Sequence, residues 1–270
     1  MSITNTNSRS KQLFINVGYR VLFVVSFLIV WHLVAEFLTE GLLPPPHPVG
    51  QEAYTLVSTG EFIEHTIDTV RRVTIPFFAA WAVSIALGVA MGLSARAEKF
   101  FDAGVVIGLT VPGLAWAIIS VMIFGLSEVG AYFAVFVIVL PMITINFWEG
   151  VKDIDMDLIE MGEVFDFDRY TTLRRVILPQ LYPYMLSAGR FGLSLCWKVV
   201  VIVEFLGFGS GIGYMILNDY NNFNMAGVLA WTALFTVLML VIEYGGFKTL
   251  ESHLLGWRPE VGVRSAEAQQ

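Results

Sequence analysis

The sequence predicts an all-α integral membrane protein, and three observations carry that prediction. Of 270 residues, 56% are hydrophobic and only 14% are charged, where an ordinary soluble domain carries roughly 25% charged residues. Apolar stretches long enough to cross a hydrocarbon core, which takes about 20 helical residues, recur along the whole chain. Lys and Arg gather in alternate connections between those stretches, as they do on the cytoplasmic side of membrane proteins. Helices and closed barrels alone satisfy every backbone group in lipid. These runs are too long and too continuously apolar for barrel strands, so helices are predicted.

Taken in order, residues 1–17 are polar and read as a disordered cytoplasmic tail. No cleavable signal peptide is evident, because the first apolar run is too long and lacks a small-residue cleavage site. The first span is predicted at 18–38, with His32 and Glu36 late in it. Leu43-Pro44-Pro45-Pro46-His47-Pro48 must be extended, since proline fixes φ and restricts the residue before it. Between 49 and 72 the pattern predicts an amphipathic helix along the outer interface.

The second span, 73–95, carries no charge. The third, 103–126, contains Pro112-Gly113, and Pro112 should break or bend it. A carbonyl freed there must be packed in protein or face a cavity. Pro112 is thus either a structural kink or a bend beside a translocation path. The fourth span is 129–148. A long polar break follows, with a charged helix-like segment ending at Leu178-Pro179. The fifth span, 181–206, carries Arg190, Lys198 and Glu204. Residues 207–213 are glycine-rich and can turn tightly. The sixth span, 226–246, has Glu243 near its end, and 258–270 form a short cytoplasmic tail.

The basic connections hold Arg9, Lys11 and Arg20, then Arg96 and Lys99, then Lys152, Arg169, Arg174 and Arg175, then Lys248, Arg258 and Arg264. The alternate connections hold Glu40, Glu52, Glu61, Glu64, Glu128 and Asp219, with Arg71-Arg72 the exception. Six spans in a plasma (inner) membrane with both termini cytoplasmic satisfy this asymmetry.

Several function classes are excluded. A net charge of −7 without basic clusters argues against nucleic acid as a partner. The lone Cys196 cannot form an internal disulfide. No phosphate-binding G-x-x-x-x-G-K-[ST], no H-E-x-x-H and no G-x-S-x-G occurs, and His32, His47, His65 and His253 are scattered. The chain is therefore expected to hold no catalytic site, metal or cofactor of its own. A membrane chain with an exposed handle and no engine points to an engine on another chain.

Charges at membrane depth default to functional hypotheses. Arg190 lies about two turns into the fifth span and can reach back towards the cytoplasm. Lys198 lies nearer the middle and Glu204 nearer the outer surface. Lys198 and Glu204 are not four residues apart on one face, which argues against pairing within the helix. Two readings stand for Lys198: it attracts an anionic cargo, or it pairs with a carboxylate of a neighbouring helix. Trp116 and Trp197 either line a path or simply pack.

The handle resembles the EAA loop of ATP-binding-cassette importer permeases. Glu160-Met161-Gly162 stands at E-A-A, Asp166 at the motif glycine, and Val176-Ile177-Leu178-Pro179 at I-x-L-P. Further segments are similar to the nitrate/sulfonate/taurine/bicarbonate branch. These are Leu43-Pro44-Pro45-Pro46; His65, Thr69 and Arg72; Leu87-Gly88 with Gly92-Leu93; Pro112 with Ala115-Trp116; and Glu204 to Gly207 with Gly211, Gly213 and Tyr214.

The resemblance implies a type I permease fold, a second permease copy, and two ATPase subunits that carry ATP and Mg. It also implies an external solute-binding protein and a small anionic cargo. It places a coupling helix near 161–170, within a loop of about 149–180. The ATPase-coupling residues it implies are Glu160, Met161, Gly162, Glu163, Phe165, Asp166, Phe167, Arg169, Tyr170, Leu178 and Pro179. Asp166 would take the left-handed turn that suits glycine, at some cost. Candidates for the translocation path are Pro112, Trp116, Trp197, Lys198 and Glu204, with Glu204 assigned a structural or gating role rather than cargo binding. Two alternatives are a permease of this architecture for a neutral or cationic heterocycle, and an ion-coupled secondary transporter. The latter would want intramembrane acids in both halves, whereas the charges here concentrate in one helix.

Overall fold

The computed structural model describes residues 4–37 and 42–247. Glu40, the end of the first span and everything beyond 247, including the basic C-terminal tail, lie outside the described residues. Among those described, every regular element is helical: α1 Thr4–Phe37, α2 Pro46–Ser58, α3 Glu61–Leu93, α4 Ala95–Thr110, α5 Gly113–Phe124, α6 Glu128–Lys152, α7 Met156–Val164, α8 Arg169–Thr172, α9 Leu178–Phe205, α10 Ile212–Asn221 and α11 Met225–Val241. Two wider π turns, Leu173–Ile177 and Ile242–Phe247, lead into α9 and continue α11.

The helices follow the predicted spans, with three departures. First, α1 begins at Thr4, so the expected disordered tail is mostly helix. Second, the helix predicted over 49–72 is broken at Gly60, which takes φ +84°. Its first half is α2, which starts at Pro46, so Pro46-His47-Pro48, expected to be extended, form the first turn of the helix, where proline's missing N–H costs nothing. Its second half is continuous with the second span, so Arg71 and Arg72 lie inside α3. Third, the third span is a pair of helices bent by 97°. Pro112 has no N–H to continue the ladder and drives Val111 into an extended conformation, with φ −70° and ψ 126°. The Pro112 carbonyl instead accepts from Ala115 N at 2.8 Å, starting α5.

By length and apolarity, α3, α6 and the run Arg169–Phe205 can each cross a membrane, and the bent α4–α5 pair counts as one more if it is a single span. Val21–Phe37 and α11 are shorter apolar helices, close to the lower bound of about 17 residues.

The chain forms two compact units, residues 1–62 with 216–234 and residues 63–215 with 235–270. In the first, Trp31 Nε1 donates to the Pro44 carbonyl at 3.2 Å, tying α1 to the proline segment. In the second, α6 is central and packs against α4, α5 and α9. Its buried stripe, Ala131, Ala134, Val135, Ile138, Val139, Ile143 and Phe147, meets Ala188, Cys196, Val199, Val200 and Val203 of α9. The approach of α3 to α6 depends on Gly88, where a Cβ would fall 2.5 Å from Phe147 Cβ. Small residues at such contacts let helices close in lipid, where apolar packing alone gives no preference. Ser84 Oγ donates to the Leu140 carbonyl at 3.0 Å, and Thr144 Oγ1 to Ser84 Oγ at 3.1 Å.

Candidate coupling surface and membrane path

The polar break folds into α7, a tight turn and α8. Asp155 caps α7 by accepting from Asp157 N at 2.9 Å. The helix closes with Asp166 N donating to Glu163 O at 3.0 Å and Phe167 N to Gly162 O at 2.9 Å. This pair of bonds is the Schellman pattern, which requires a left-handed residue after the helix. Asp166 supplies it at φ +54°, and Phe167 packs its ring on buried Gly162, the apolar contact that accompanies the motif.

The helix therefore spans 156–164 rather than 161–170. The turn at 165–168 occupies the centre of the expected element. Phe165, Asp166, Arg169 and Tyr170 sit on this turn and the start of α8. Thr171 donates its hydroxyl to Asp168, which lowers that carboxyl's pKa and keeps negative charge at the start of α8.

This segment exposes apolar side chains among its charged ones. Val164 is 82% and Phe165 67% exposed, with Met161 and Tyr170 beside them. Glu160 and Glu163 are exposed on the same helix, while Phe167 is half-buried. Leu178 and Pro179 are half-buried at the start of α9.

Immediately before them, Leu178 N donates to Leu173 O, a five-residue step. The π turn lets Pro179, which has no N–H, enter without ending the helix. As a result Arg169–Phe205 is one helical run of 37 residues, about 55 Å long. Two side chains of α9 tether the base of α7. Gln180 Oε1 accepts from Asp155 N at 2.8 Å, and Tyr184 Oη donates to Asp153 Oδ2 at 2.5 Å.

At the far end of this run lies a buried polar cluster. Glu204 is fully buried and Arg72 is 3% exposed. Arg72 donates from Nη1 to Glu204 at 2.9 Å and to the Ser210 carbonyl at 2.7 Å, and from Nη2 to Glu128 at 2.7 Å. Glu204 also accepts from Thr69 Oγ1 at 3.0 Å and from Gly213 N at 2.9 Å. The guanidinium lies 5.0 Å from the Phe208 ring centroid. A carboxylate and a guanidinium so paired and so fully hydrogen-bonded are tolerated out of water.

Two glycines of this loop, Gly211 and Gly213, are sterically required. A Cβ on Gly211, at φ +107°, would sit 2.2 Å from the Glu204 carboxylate, and one on Gly213 would sit 2.2 Å from the Val201 carbonyl. Glu204 thus lines neither of the two cavities described next. Its partner comes from the second span, which also accounts for the exception that Arg71-Arg72 make to the charge asymmetry.

Two cavities flank α9. One of about 600 Å³ is almost wholly apolar, between Phe77, Phe78 and Trp81 on α3 and Tyr182, Met185 and Trp197 on α9. The other, of about 400 Å³, is lined by Arg190, Trp197, Lys198 and Glu243 among others. Trp197 and Lys198 thus meet at one cavity. Arg190, expected to reach back towards water, is about half exposed and pairs with Glu243. Trp116 packs against the core of α6 and α9, and Pro112 is exposed at the bend; neither lines either cavity.

Sequence inspection singled out the right charges but not their partners. Nothing in a linear pattern matches Glu204 to a residue 132 positions away. The signal available was Arg71-Arg72, a pair of cations among otherwise acidic outer connections.

Residues 82–245 match the model of a family described as binding-protein-dependent transport system inner membrane components. The chain is 28% identical over 240 residues to a putative aliphatic sulfonates transport permease of Bacillus subtilis, covering 85% of this chain and 83% of that one. It is 26% identical over 259 residues to a taurine transport system permease of Escherichia coli, covering 93% and 92%. It is 27% identical over 205 residues to a nitrate import permease of Synechococcus elongatus, covering 72% and 74%. Among solved structures, an inward-facing MetNI methionine ABC transporter chain superposes with a TM-score of 0.61 at 16% identity, covering 70% of this chain and 94% of that one. The chain belongs to the inner-membrane components of binding-protein-dependent transport systems, as an ABC importer permease of the branch that holds the sulfonate, taurine and nitrate permeases.

Proposed function

We propose that this chain forms, with a second copy of itself, the translocation path for a small anionic solute. The solute is delivered by an external binding protein, and the work is done by two separate ATPase subunits that bind ATP and Mg. The chain itself hydrolyses nothing. Both termini and α7 face the cytoplasm, as the distribution of Lys and Arg supports, and six segments cross the membrane.

The observation that carries this reading is the exposed apolar surface of Met161, Val164, Phe165 and Tyr170, joined to a helix that runs on to the far-end cluster. Exposed apolar patches rimmed by polar residues mark protein contacts. Burying each such side chain stabilises an interface by about 1.5–3 kcal/mol. When the ATPase dimer closes on nucleotide, α7 is carried with it. The tethers at Gln180 and Tyr184 pass that motion to α9, which turns as a rod and biases the path between two openings. The names of the sulfonate, taurine and nitrate permeases support an anion as cargo.

The test is uptake by proteoliposomes holding the permease, with the ATPase subunits and binding protein added or left out. Uptake is expected only with all three and ATP. Uptake by the permease alone, driven by an ion gradient, would make it a secondary transporter instead.

A further inference from the structure

We propose that the 400 Å³ cavity between α9 and the end of α11 is an anion-binding site inside the membrane, in which Lys198 anchors the anion and Glu243 holds Arg190 until the anion arrives. This rests on the permease reading above and supplies the residues and charge preference of its path.

The spacing comes first. Arg190, Ser194 and Lys198 follow one another at four-residue steps, so they form a single stripe on α9, and all three line the cavity. Facing them are Thr236 and Glu243. Two cations and one carboxylate leave one net positive charge on an otherwise apolar wall.

The pairing comes second. Glu243 is engaged with Arg190, and Glu204 is engaged with Arg72. Lys198 has no carboxylate within ion-pair distance among the described residues. Among the described residues, the structural reading of Lys198, a pair with a neighbouring helix's carboxylate, finds no partner. The Lys198 side chain is exposed on the face of α9 that lines the cavity, so the ammonium is free to meet an anion that enters there.

The chemistry comes third. An ammonium is a compact point charge, whereas a guanidinium presents a fork that grips an oxoanion through two parallel bonds. Lys198 alone would hold a monoanion loosely. Arg190 would tighten the grip once Glu243 gives way. Glu243 lies in the π turn Ile242–Phe247, a distortion that is frequent at functional sites. A resident carboxylate keeps binding weak enough for release, which conduction needs. The volume lies within the range of small-molecule sites, about 300–1,000 Å³, and admits nitrate or a short alkylsulfonate.

The experiment is calorimetric titration of the purified permease–ATPase complex with nitrate and with methanesulfonate, and with thiamine as a cationic probe. Saturable binding of at least one anion is expected. Lys198→Met should weaken it at least about tenfold. Lys198→Arg should bind at least as tightly as wild type, since the charge is kept and the fork adds a second bond. Glu243→Gln should bind about threefold more tightly, since the competitor is gone. Absence of saturable anion binding, or equal binding by Lys198→Met in an assembled complex, overturns the site. Thiamine binding in place of either anion overturns its charge preference and leaves the importer reading standing. Failure of the ATPase subunits to co-purify would instead sink the importer reading, and anion binding measured on the permease alone would then still decide the site.

Discussion

At the scale of single residues, the Arg72–Glu204 pair is the most constrained feature. Removing one partner leaves a buried charge uncompensated, which costs about 3–5 kcal/mol. Arg72→Met and Glu204→Gln should each lower the thermal midpoint of the detergent-solubilised protein substantially, and the double variant carrying both changes should lose less than the two single changes added together. Strict additivity in that double-mutant cycle would mean that the two groups do not interact. Asp166 is the opposite case, a residue held where another would do better. It stands in a left-handed conformation that costs an L-residue roughly 1–2 kcal/mol, with Asp towards the low end. Asp166→Gly should therefore make the loop harder to cleave by limited proteolysis, and Asp166→Val should make it easier. The motif match alone pointed to this turn, because a position that takes glycine in one chain and aspartate in another is one that needs φ above zero. The Arg190–Glu243 pair was not readable in the same way, since both residues were visible but their contact depends on how two distant helices pack.

At the scale of elements, hydrophobicity marked where each span lies but not where each helix ends. The fourth and fifth spans, predicted at 129–148 and 181–206, became Glu128–Lys152 and Leu178–Phe205. Agreement was close where a cap or glycine stands, at Ser127 before α6 and Gly207 after α9, whereas α9 has no cap at its start and the helix runs back through the π turn to Arg169. The second span extended three turns beyond its apolar run, because a helix continues into polar sequence until a residue such as Gly60 stops it. The third span was legible as broken, but the 97° angle is set by packing on α6 rather than by Pro112 alone. The joint between α8 and α9 carries its own prediction. If the run Arg169–Phe205 acts as a rod, Val176→Gly with Ile177→Gly should soften it at the π turn, since each interior glycine costs about 1 kcal/mol of helix relative to alanine. ATPase association should persist while uptake per ATP hydrolysed falls several-fold. Unchanged coupling in that variant would show that force reaches the membrane by another route, such as α6.

At the scale of the whole molecule, the second compact unit holds the exposed apolar surface of α7 and its turn, a continuous helix, a cavity and the buried Arg72–Glu204 cluster in sequence along α9. The class of protein was legible from composition and motif, because the membrane imposes its constraints on any sequence that crosses it. The cavity was not legible, since its walls come from residues 190–198 and 235–243, which share no local pattern. The central claim is that α7 and its turn dock onto a separate ATPase subunit, and a cysteine cross-link tests it most directly. Cys196 is buried and does not compete, so a cysteine placed at exposed Phe165 reports on that surface alone, with exposed Tyr54 on α2 as the control. The account predicts that Phe165→Cys forms an adduct with the ATPase subunit, that nucleotide changes its yield, and that Tyr54→Cys forms none. No adduct at Phe165 in an assembled complex, or an equal adduct at Tyr54, would contradict it.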